Sequence, residues 1–392
     1  MYDLIIENAR LYPMAGDARP AAARSMAVRD GRIEAFDVRG PARDVVDAGG
    51  RLLLPGFVDC HTHALYVGDR MREHLMRLEG ATYADIAKSG GGILATVEAV
   101  RAASEAELVA ATLPRLAALA GEGVTTVEIK SGYGLTLHDE LKMLRAIAAL
   151  GLQSPLDICA TFLGAHAVPR GVERQAFVAE IVDEMLPAVA ANGLAEAVDV
   201  FVEGIAFDLH DLRAIFEKAR SLGLERRAHC EQLSNIGGTR LAARLGARSC
   251  DHLEHADDAA IDAMAAAGTV AVLLPAAFYF LRETRRPPVA ALRARGVAMA
   301  VASDLNPGSA PVPSLLTAMH MAAILFALKP EEILLGVTLH AARALGRETS
   351  IGSLAPGKHA NFALWDLPAP EYLFYQLGGL RPDAVYIEGR PL

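Results

Sequence analysis

The chain has 392 residues, of which 52% are hydrophobic and 22% charged, with a formal net charge of −9 and a pI of about 5.8. This composition excludes a disordered chain, because it supplies enough apolar residues for a large core. It also argues against nucleic-acid binding, because the chain is acidic and has no basic stripe.

The chain begins with short β-type segments at 2–8, 25–29 and 32–36, separated by turn signals such as Asp30-Gly31. Segments near the other end have the same character. Because short strands at opposite ends of a chain cannot each bury a face alone, we predict that they pack together. The result is a small composite β-sandwich domain from residues 1–54 and 346–392. The C-terminal segments are 361–365 and 384–388.

Residues 55–345 follow an α/β pattern. Continuous apolar, β-branched runs, mostly separated by helical patterns, are typical of parallel strands buried on both faces. Eight such strands predict a catalytic (β/α)8 TIM barrel. An open doubly wound sheet is the alternative, although the chain has no GxGxxG fingerprint. The eight runs are 52–59, 124–129, 156–163, 197–202, 225–228, 247–251, 269–274 and 297–303.

Two stretches allow more than one interpretation. The glycine-rich segment Ser89–Gly92, between the first two strands, is either a flexible loop or a lid that contacts an anion near the site. Residues 264–281 carry no charge and are nearly long enough to span a membrane. Because Gly268 and Pro275 divide this stretch, we interpret it as a helix end, a buried strand and a loop, and no membrane association is expected.

The four cysteines are far apart and form no CxxC pair, which predicts free thiols in a reducing compartment. The start of the chain has an early acid, Asp3, and no basic segment before a long apolar run, so no export signal is predicted. We therefore expect a cytoplasmic protein.

Polar residues follow the predicted strands at the ends that converge on one mouth of a barrel. The i, i+2 spacing of His61 and His63 on a strand places both imidazoles on one face. With His229 and Asp304 at other strand ends they form a ligand set that suits zinc or iron and leaves a position for water. His252 and Asp304 are candidates for proton transfer, and the alternative for His252 is a supporting hydrogen-bonding role.

Several motifs resemble the amidohydrolase superfamily. PGFVDCHTH at 55–63 is shared by many of its members. KSGYG at 130–134, FYFLRET at 278–284 and DLNPGS at 304–309 are more specific and resemble the imidazolonepropionase family. The resemblance extends, in order, along nearly the whole chain. It implies that water opens the cyclic amide of 4-imidazolone-5-propanoate to N-formimidoyl-L-glutamate in histidine degradation.

The resemblance also assigns residues and partners. It implies one Zn²⁺ (or Fe³⁺) ion per chain, a small substrate with one carboxylate, and a homodimer, because relatives commonly dimerise. The implied metal ligands are His61, His63, His229 and Asp304, the implied substrate contacts are Arg70, Tyr133 and His166, and the implied contacts to the substrate or product tail are Asn306, Gly308 and Ser309.

Arg70 and three further polar residues bear on this assignment. Arg70 can bind a carboxylate through two parallel hydrogen bonds, and its alternative is a surface or structural ion pair. Arg282 is either a further carboxylate or lid contact or a solvated side chain. Gln232 stands where some relatives have glutamate, so it keeps a hydrogen-bonding role and cannot be a general base. Lys130 stands where some superfamily members carry a carbamylated lysine between two metals. We predict a mononuclear site instead, because three histidines and one aspartate already supply the usual protein ligands of one ion.

Two other functions share these residues. A heterocycle deaminase with the same metal site would release ammonia, which ring opening does not. A non-catalytic barrel would keep its metal in a closed structural site without a position for water.

Overall fold

A computed structural model describes residues 1–80 and 91–392. Within these residues the strands form three sheets. The strands are β1 Tyr2–Glu7, β2 Arg10–Leu11, β3 Met26–Arg29, β4 Arg32–Phe36, β5 Ala42–Asp47, β6 Leu52–Pro55, β7 Phe57–Asp59, β8 Val124–Lys130, β9 Asp157–Ala165, β10 Ala197–Val202, β11 Glu225–Cys230, β12 Ser249–His252, β13 Val270–Leu273, β14 Met299–Val301, β15 Phe362–Trp365, β16 Ala384–Ile387 and β17 Arg390–Pro391.

The helices mostly connect the strands of the largest sheet. Local signals fix several of their ends; for example, Ser104 and Glu107 exchange hydrogen bonds with each other's backbone N–H in a capping box. The helices are α1 Met71–Leu78, α2 Ile93–Ala102, α3 Glu105–Ala120, α4 Leu137–Gln153, α5 Arg174–Glu180, which continues through a π-helical turn Ile181–Met185 into α6 Leu186–Ala191, α7 Leu209–Ser221, α8 Gly238–Arg244, α9 Asp258–Ala267, α10 Pro275–Phe280, α11 Val289–Ala294, α12 Leu315–Phe326, α13 Pro330–Gly336, α14 Leu339–Ala344 and α15 Tyr372–Tyr375.

The largest sheet contains β7 to β14 in chain order, and each neighbouring pair is parallel. Its first and last strands meet just beyond their ends, where Thr62 and Leu305 form a parallel bridge. At this seam Asp304 N–H donates to the His61 carbonyl and His63 N–H donates to the Leu305 carbonyl, both at 3.0 Å. The sheet is therefore a nearly closed parallel barrel. The prediction of an eight-stranded parallel barrel is confirmed, and the doubly wound alternative is excluded.

The first predicted strand, residues 52–59, is two separate strands in the structure. The structure divides it at Gly56: β6 pairs with β15 in a terminal sheet, and β7 pairs with β8 in the barrel. A Cβ at Gly56 would lie 2.2 Å from Oγ1 of Thr125, so this crossing point has no room for a side chain. The run appears continuous in the sequence because both strands are fully buried.

The uncharged stretch 264–281 was interpreted correctly except for its last part. It contains the end of α9 and strand β13, but residues 275–280 form helix α10 and not a loop. Pro275 is in the first turn of α10, where its missing N–H is not needed. Among the helices of the described residues, none has the length and apolar character needed to cross a membrane.

Two smaller sheets lie outside the barrel. One has the order β4-β3-β1-β5, and the other, β17-β16-β15-β6-β2, combines segments from both ends of the chain. A buried apolar cluster between them includes Ile6, Val28 and Phe362, and the ring of Phe362 stacks on Tyr386 with 4.5 Å between centroids. Within the described residues the four cysteines are buried and unpaired, as predicted.

Candidate metal centre

Three buried imidazoles converge where strands β7 and β11 end. His61, His63 and His229 each direct one nitrogen to within 4.8 Å of the other two, and Nε2 of His63 is 3.3 Å from Nε2 of His229. Asp304, which follows β14, places Oδ1 3.5 Å from Nε2 of both His61 and His63. The structure thus brings together the four residues that the sequence suggested as ligands.

Two buried carboxylates orient these histidines. Asp251 Oδ2 is 2.6 Å from Nδ1 of His61, and Asp199 Oδ1 is 3.1 Å from Nδ1 of His229. Although burial acts against its charge, His229 and Lys130 hold the pKa of Asp199 below its usual range, so this carboxylate accepts the proton of His229 Nδ1. Burial raises the pKa of Asp251 to about 7. A cation on Nε2 of His61 would favour the tautomer in which Nδ1 donates to Asp251. Nε2 of His61 is buried and has no hydrogen-bond partner in the described part of the chain. A buried nitrogen without a hydrogen-bond partner, close to the nitrogens of two other histidines, fits a metal ion.

Burial shifts the pKa of several groups in the cluster, although Asp199 outweighs it at His229, whose pKa is raised. Burial lowers the pKa of His61 and of His63 well below the ordinary value, so both imidazoles are neutral and able to ligate a cation. Burial also raises the pKa of the Asp304 carboxyl to about 7. A cation bound among these groups would stabilise the carboxylate and relieve this cost of burial.

A buried lysine lies next to the cluster. Nζ of Lys130 is 2.8 Å from Oε1 of Glu128 and 2.8 Å from Oδ2 of Asp199. Although burial acts against the charge, Asp199 and Glu128 hold the pKa of Lys130 above its usual range. The ammonium therefore stays protonated, whereas carbamylation requires a free amine.

A cavity of about 190 Å³ opens beside the cluster. Every residue predicted to contact substrate or to move protons faces it. These residues are Arg70, Tyr133, His166, Gln232, His252, Asp304, Asn306, Gly308 and Ser309. A wider cavity of about 790 Å³ shares His166, Phe201 and Gln232 with it, and Arg282 lines this outer cavity.

Tyr133 lies in a loop that is held by hydrogen bonds from its backbone to one carboxylate. The carboxylate of Glu140 in α4 accepts the backbone N–H groups of Gly132, Gly134 and Leu135 at 3.0, 2.8 and 2.8 Å. Gly132 has a φ of 106°, and a Cβ there would lie 2.8 Å from the Leu163 carbonyl. The close packing of the backbone therefore requires glycine at this position.

His166 stacks on the ring of His63, with 5.0 Å between centroids. Its Nδ1 is 3.0 Å from the carbonyl of Gly132, which can only accept, so Nδ1 carries the proton. Burial lowers the pKa of His166 to about 3. The neutral ring thus keeps its other nitrogen as a hydrogen-bond acceptor beside the cavity.

The side chain of Asn306 fixes the shape of the loop that follows strand β14. Oδ1 of Asn306 accepts the N–H groups of Gly308 and Ser309 at 2.8 and 2.7 Å, and its Nδ2 donates to the Asp304 carbonyl at 2.7 Å. Gly308 packs against Arg70, since a Cβ there would lie 2.1 Å from Nη1 of the arginine. Asn306 is therefore committed largely to the loop.

His252 lies beside the cluster, with its ring centroid 5.5 Å from that of His229. Its Nδ1 is buried without a hydrogen-bond partner among the described residues, and the nearest carboxylate oxygen, Oε2 of Glu254, is 4.0 Å away. His252, Leu253 and Asp304 have φ values of 79°, 73° and 53°. Left-handed backbone is costly for side-chain-bearing residues and collects at functional sites.

Comparison with known proteins places this geometry in a family. Residues 52–392 match the family model described as "Amidohydrolase family". The chain belongs to the amidohydrolase family. An imidazolonepropionase from Stenotrophomonas maltophilia is 52% identical over 371 residues, covering 93% of this chain and 91% of the relative. One from Bradyrhizobium diazoefficiens is 51% identical over 389 residues and 96% of each chain. The resemblance identified in the sequence is confirmed.

Solved structures share the fold of this amidohydrolase at lower identity. An adenosine deaminase from Xanthomonas campestris with bound zinc superposes with a TM-score of 0.73 at 21% identity, covering 100% of this chain and 92% of that chain. A 5-methylcytosine deaminase from Klebsiella pneumoniae gives 0.73 at 19%, covering 99% and 97%. At these identities the likeness shows the fold alone and does not favour deamination.

Sequence reasoning about this amidohydrolase missed the carboxylates that support the site. Glu140 was passed over, although an acid one turn inside a helix that follows a glycine loop is a usable signal for a loop anchor. Asp199 lies inside a strand, where nothing in the sequence marks it as a partner of His229. Glu73 was missed as well: Arg70 donates to it through Nε and Nη2 at 2.9 and 2.6 Å.

Proposed function

We propose that this amidohydrolase hydrolyses the cyclic amide bond of 4-imidazolone-5-propanoate to give N-formimidoyl-L-glutamate. The observation that carries the proposal is a small cavity in which His63, His229 and Asp304 of the ligand set meet an arginine suited to a carboxylate. The volume of about 190 Å³ suits a small planar ring with a short tail. Identity of about half to proteins named imidazolonepropionase supports the same substrate.

His61, His63, His229 and Asp304 would hold one zinc or iron(III) ion per chain. When bound, the ion supplies Lewis acidity that makes water nucleophilic near neutral pH. A single ion is favoured because the Lys130 ammonium already neutralises the free oxygen of Asp199, which would otherwise face a second cation.

The chain's own side chains bind the substrate and move protons. Arg70 holds the propanoate carboxylate, while Tyr133 and His166 flank the ring and offer a hydroxyl and an accepting nitrogen. Asp304 accepts a proton from the attacking water, and a C–O bond forms as the ring C–N bond breaks. His252 passes a proton to the leaving nitrogen, so that ring opening yields a carboxylate and releases no ammonia.

We also propose the domain division and assembly that the sequence suggested. Residues 55–345 form the catalytic barrel, and residues 1–54 and 346–392 form a composite β-sandwich domain. The buried cluster shared by the two terminal sheets supports this division. A homodimer in the cytoplasm, acting on a small molecule, is the proposed working form, and the unpaired buried cysteines agree with a reducing compartment.

The test is turnover of the imidazolone by metal-loaded protein, followed by loss of the ring chromophore and by an assay for ammonia. We expect decay of the chromophore without ammonia and a loss of turnover on chelation. Ammonia release in step with substrate loss would indicate a deaminase. No decay at neutral pH would reject the proposed substrate.

Arg70→Ala tests the binding pose within this reaction. We expect a rise in KM of about ten- to hundredfold, because a charge-assisted hydrogen bond to the substrate is lost. Arg213→Ala is the matched control, since Arg213 is an exposed arginine that also pairs with a glutamate on its own helix. A KM unchanged by Arg70→Ala would reject the pose.

A further inference from the structure

We infer that Glu73 is a positioning residue that holds one edge of Arg70, so that the other edge can receive the substrate carboxylate. The inference rests on the proposed function for the identity of the ligand. It adds a residue that acts through Arg70 and that determines specificity for a charged tail.

Glu73 lies in the first turn of α1 and is only 7% exposed. Both of its carboxylate oxygens are occupied. Oε2 accepts Nε and Nη2 of Arg70 at 2.9 and 2.6 Å, and Oε1 accepts the backbone N–H of Gly92 at 2.8 Å. One carboxylate therefore joins the arginine to the end of the glycine-rich segment. Ser89 and Gly90 of that segment lie outside the described residues.

The geometry leaves a defined part of the guanidinium for a ligand. An arginine presents two edges that can each bind a carboxylate through parallel hydrogen bonds. Glu73 takes the edge made by Nε and Nη2. Nη1 makes no hydrogen bond to the described residues and lies against Gly308 in the wall of the cavity. The remaining edge, between Nη1 and Nη2, can bind a substrate carboxylate.

Charge supports the same assignment. Arg77 lines the same cavity and places Nη2 4.0 Å from the Glu73 carboxylate. A single buried anion thus lies between two arginines and offsets their repulsion. Although burial acts to raise it, the hydrogen bond from Arg70 holds the pKa of Glu73 below its usual value, so the residue is ionised at neutral pH.

The test measures how Glu73→Gln changes the binding of two probe ligands. This substitution keeps the shape of the side chain and removes its charge. Calorimetry on the metal-loaded protein measures the Kd of 3-(imidazol-4-yl)propanoate and of 4-ethylimidazole, which lacks the carboxylate. We expect Glu73→Gln to weaken the first about ten- to hundredfold and to leave the second unchanged within about twofold. In turnover, KM should rise by a similar factor, with kcat little changed. Glu73→Asp, which restores the charge, should recover part of the affinity.

Arg70→Ala/Glu73→Gln shows whether Glu73 acts through Arg70. We expect the double variant to bind the propanoate as Arg70→Ala alone does, because there is then no arginine to orient. Glu217→Gln, the exposed partner of Arg213, is the matched control and should change neither Kd.

Several outcomes would overturn the inference. The inference fails if Glu73→Gln weakens the binding of both probes equally or of neither. It also fails if the effects of Arg70→Ala and Glu73→Gln on the Kd add in the double variant, or if the wild type binds both probes equally well. If Glu73→Gln does not fold, as judged by its circular dichroism, the same comparison is made with Glu73→Asp, and unchanged propanoate binding there counts against the inference. Carboxylate selectivity without imidazolone turnover would reject the proposed function and leave the role of Glu73 intact.

Discussion

Between the two terminal sheets, Ile6, Val28 and Phe362 pack against apolar neighbours, whereas at the carboxyl end of the barrel His61 and Asp304 are equally buried among polar groups. The first region needs only the removal of apolar surface from water. The second requires each buried polar atom to have a partner, and His61 Nε2 has none within the described residues. The terminal core is therefore complete in the polypeptide alone, whereas the barrel mouth is completed by a ligand.

The backbone shows the same contrast. In hairpin turns of the terminal sheets, Asp30 and Glu388 have positive φ at exposed positions followed by glycine, although Met14, in the loop after β2, has positive φ while buried. In the barrel, His252, Leu253 and Asp304 have positive φ while buried. Buried strain persists only where the surrounding packing holds it, so the barrel mouth gives up stability in order to place its side chains.

His229→Ala removes a predicted metal ligand at the barrel mouth, and we expect it to have the largest effect. Loss of one ligand is expected to lower kcat/KM on the order of 10⁴-fold and to reduce bound metal, because the Lewis acid is lost or misplaced. Elemental analysis and turnover measure the two quantities. The thermal midpoint in excess chelator should stay close to that of wild type. Full metal content with normal turnover would remove His229 from the ligand set.

Phe362→Ala tests the terminal side. Removing this fully buried ring, which stacks on Tyr386, is expected to cost about 3–5 kcal/mol of unfolding free energy. The kcat/KM of the molecules that remain folded should not change. Denaturant unfolding followed by circular dichroism gives the cost, and Tyr375→Ala, at an aromatic residue that is 77% exposed, is the control. A fall in kcat/KM of the folded fraction would mean that the two regions are coupled.

Asp251→Asn should have the smallest effect and sharpens the barrel side. The oxygen of asparagine can accept the proton of His61 Nδ1 but cannot supply the negative charge of a carboxylate, so metal affinity is expected to fall about ten- to hundredfold. Competition with a chromophoric chelator measures this affinity. Asp262→Asn on the exposed face of α9 should leave it unchanged. Equal affinities for Asp251→Asn and wild type would show that the carboxylate does not tune the histidine.

The same comparison explains what the sequence could predict. The strands and the residues that follow them could be identified because buried parallel strands are continuous apolar runs and the fold directs their ends to one mouth. This was enough to bring His61, His63, His229 and Asp304 together. Glu73 and Glu140 were not predicted, because they accept hydrogen bonds from N–H groups of loops and the path of a loop depends on tertiary packing. Gly56 escaped because two buried strands that belong to different sheets have the same pattern as one longer strand.

The seam of the barrel has a consequence for how the protein is made. Asp59 and Ser303 hydrogen-bond across it although they are 244 positions apart, and the bridge between Thr62 and Leu305 closes next to the ligands. A growing chain therefore carries its first two histidines long before the aspartate that completes the set has been translated. We expect the metal centre to assemble late, when the last strand of the barrel docks. A polypeptide truncated before β14 would lack the aspartate and would not retain a metal ion.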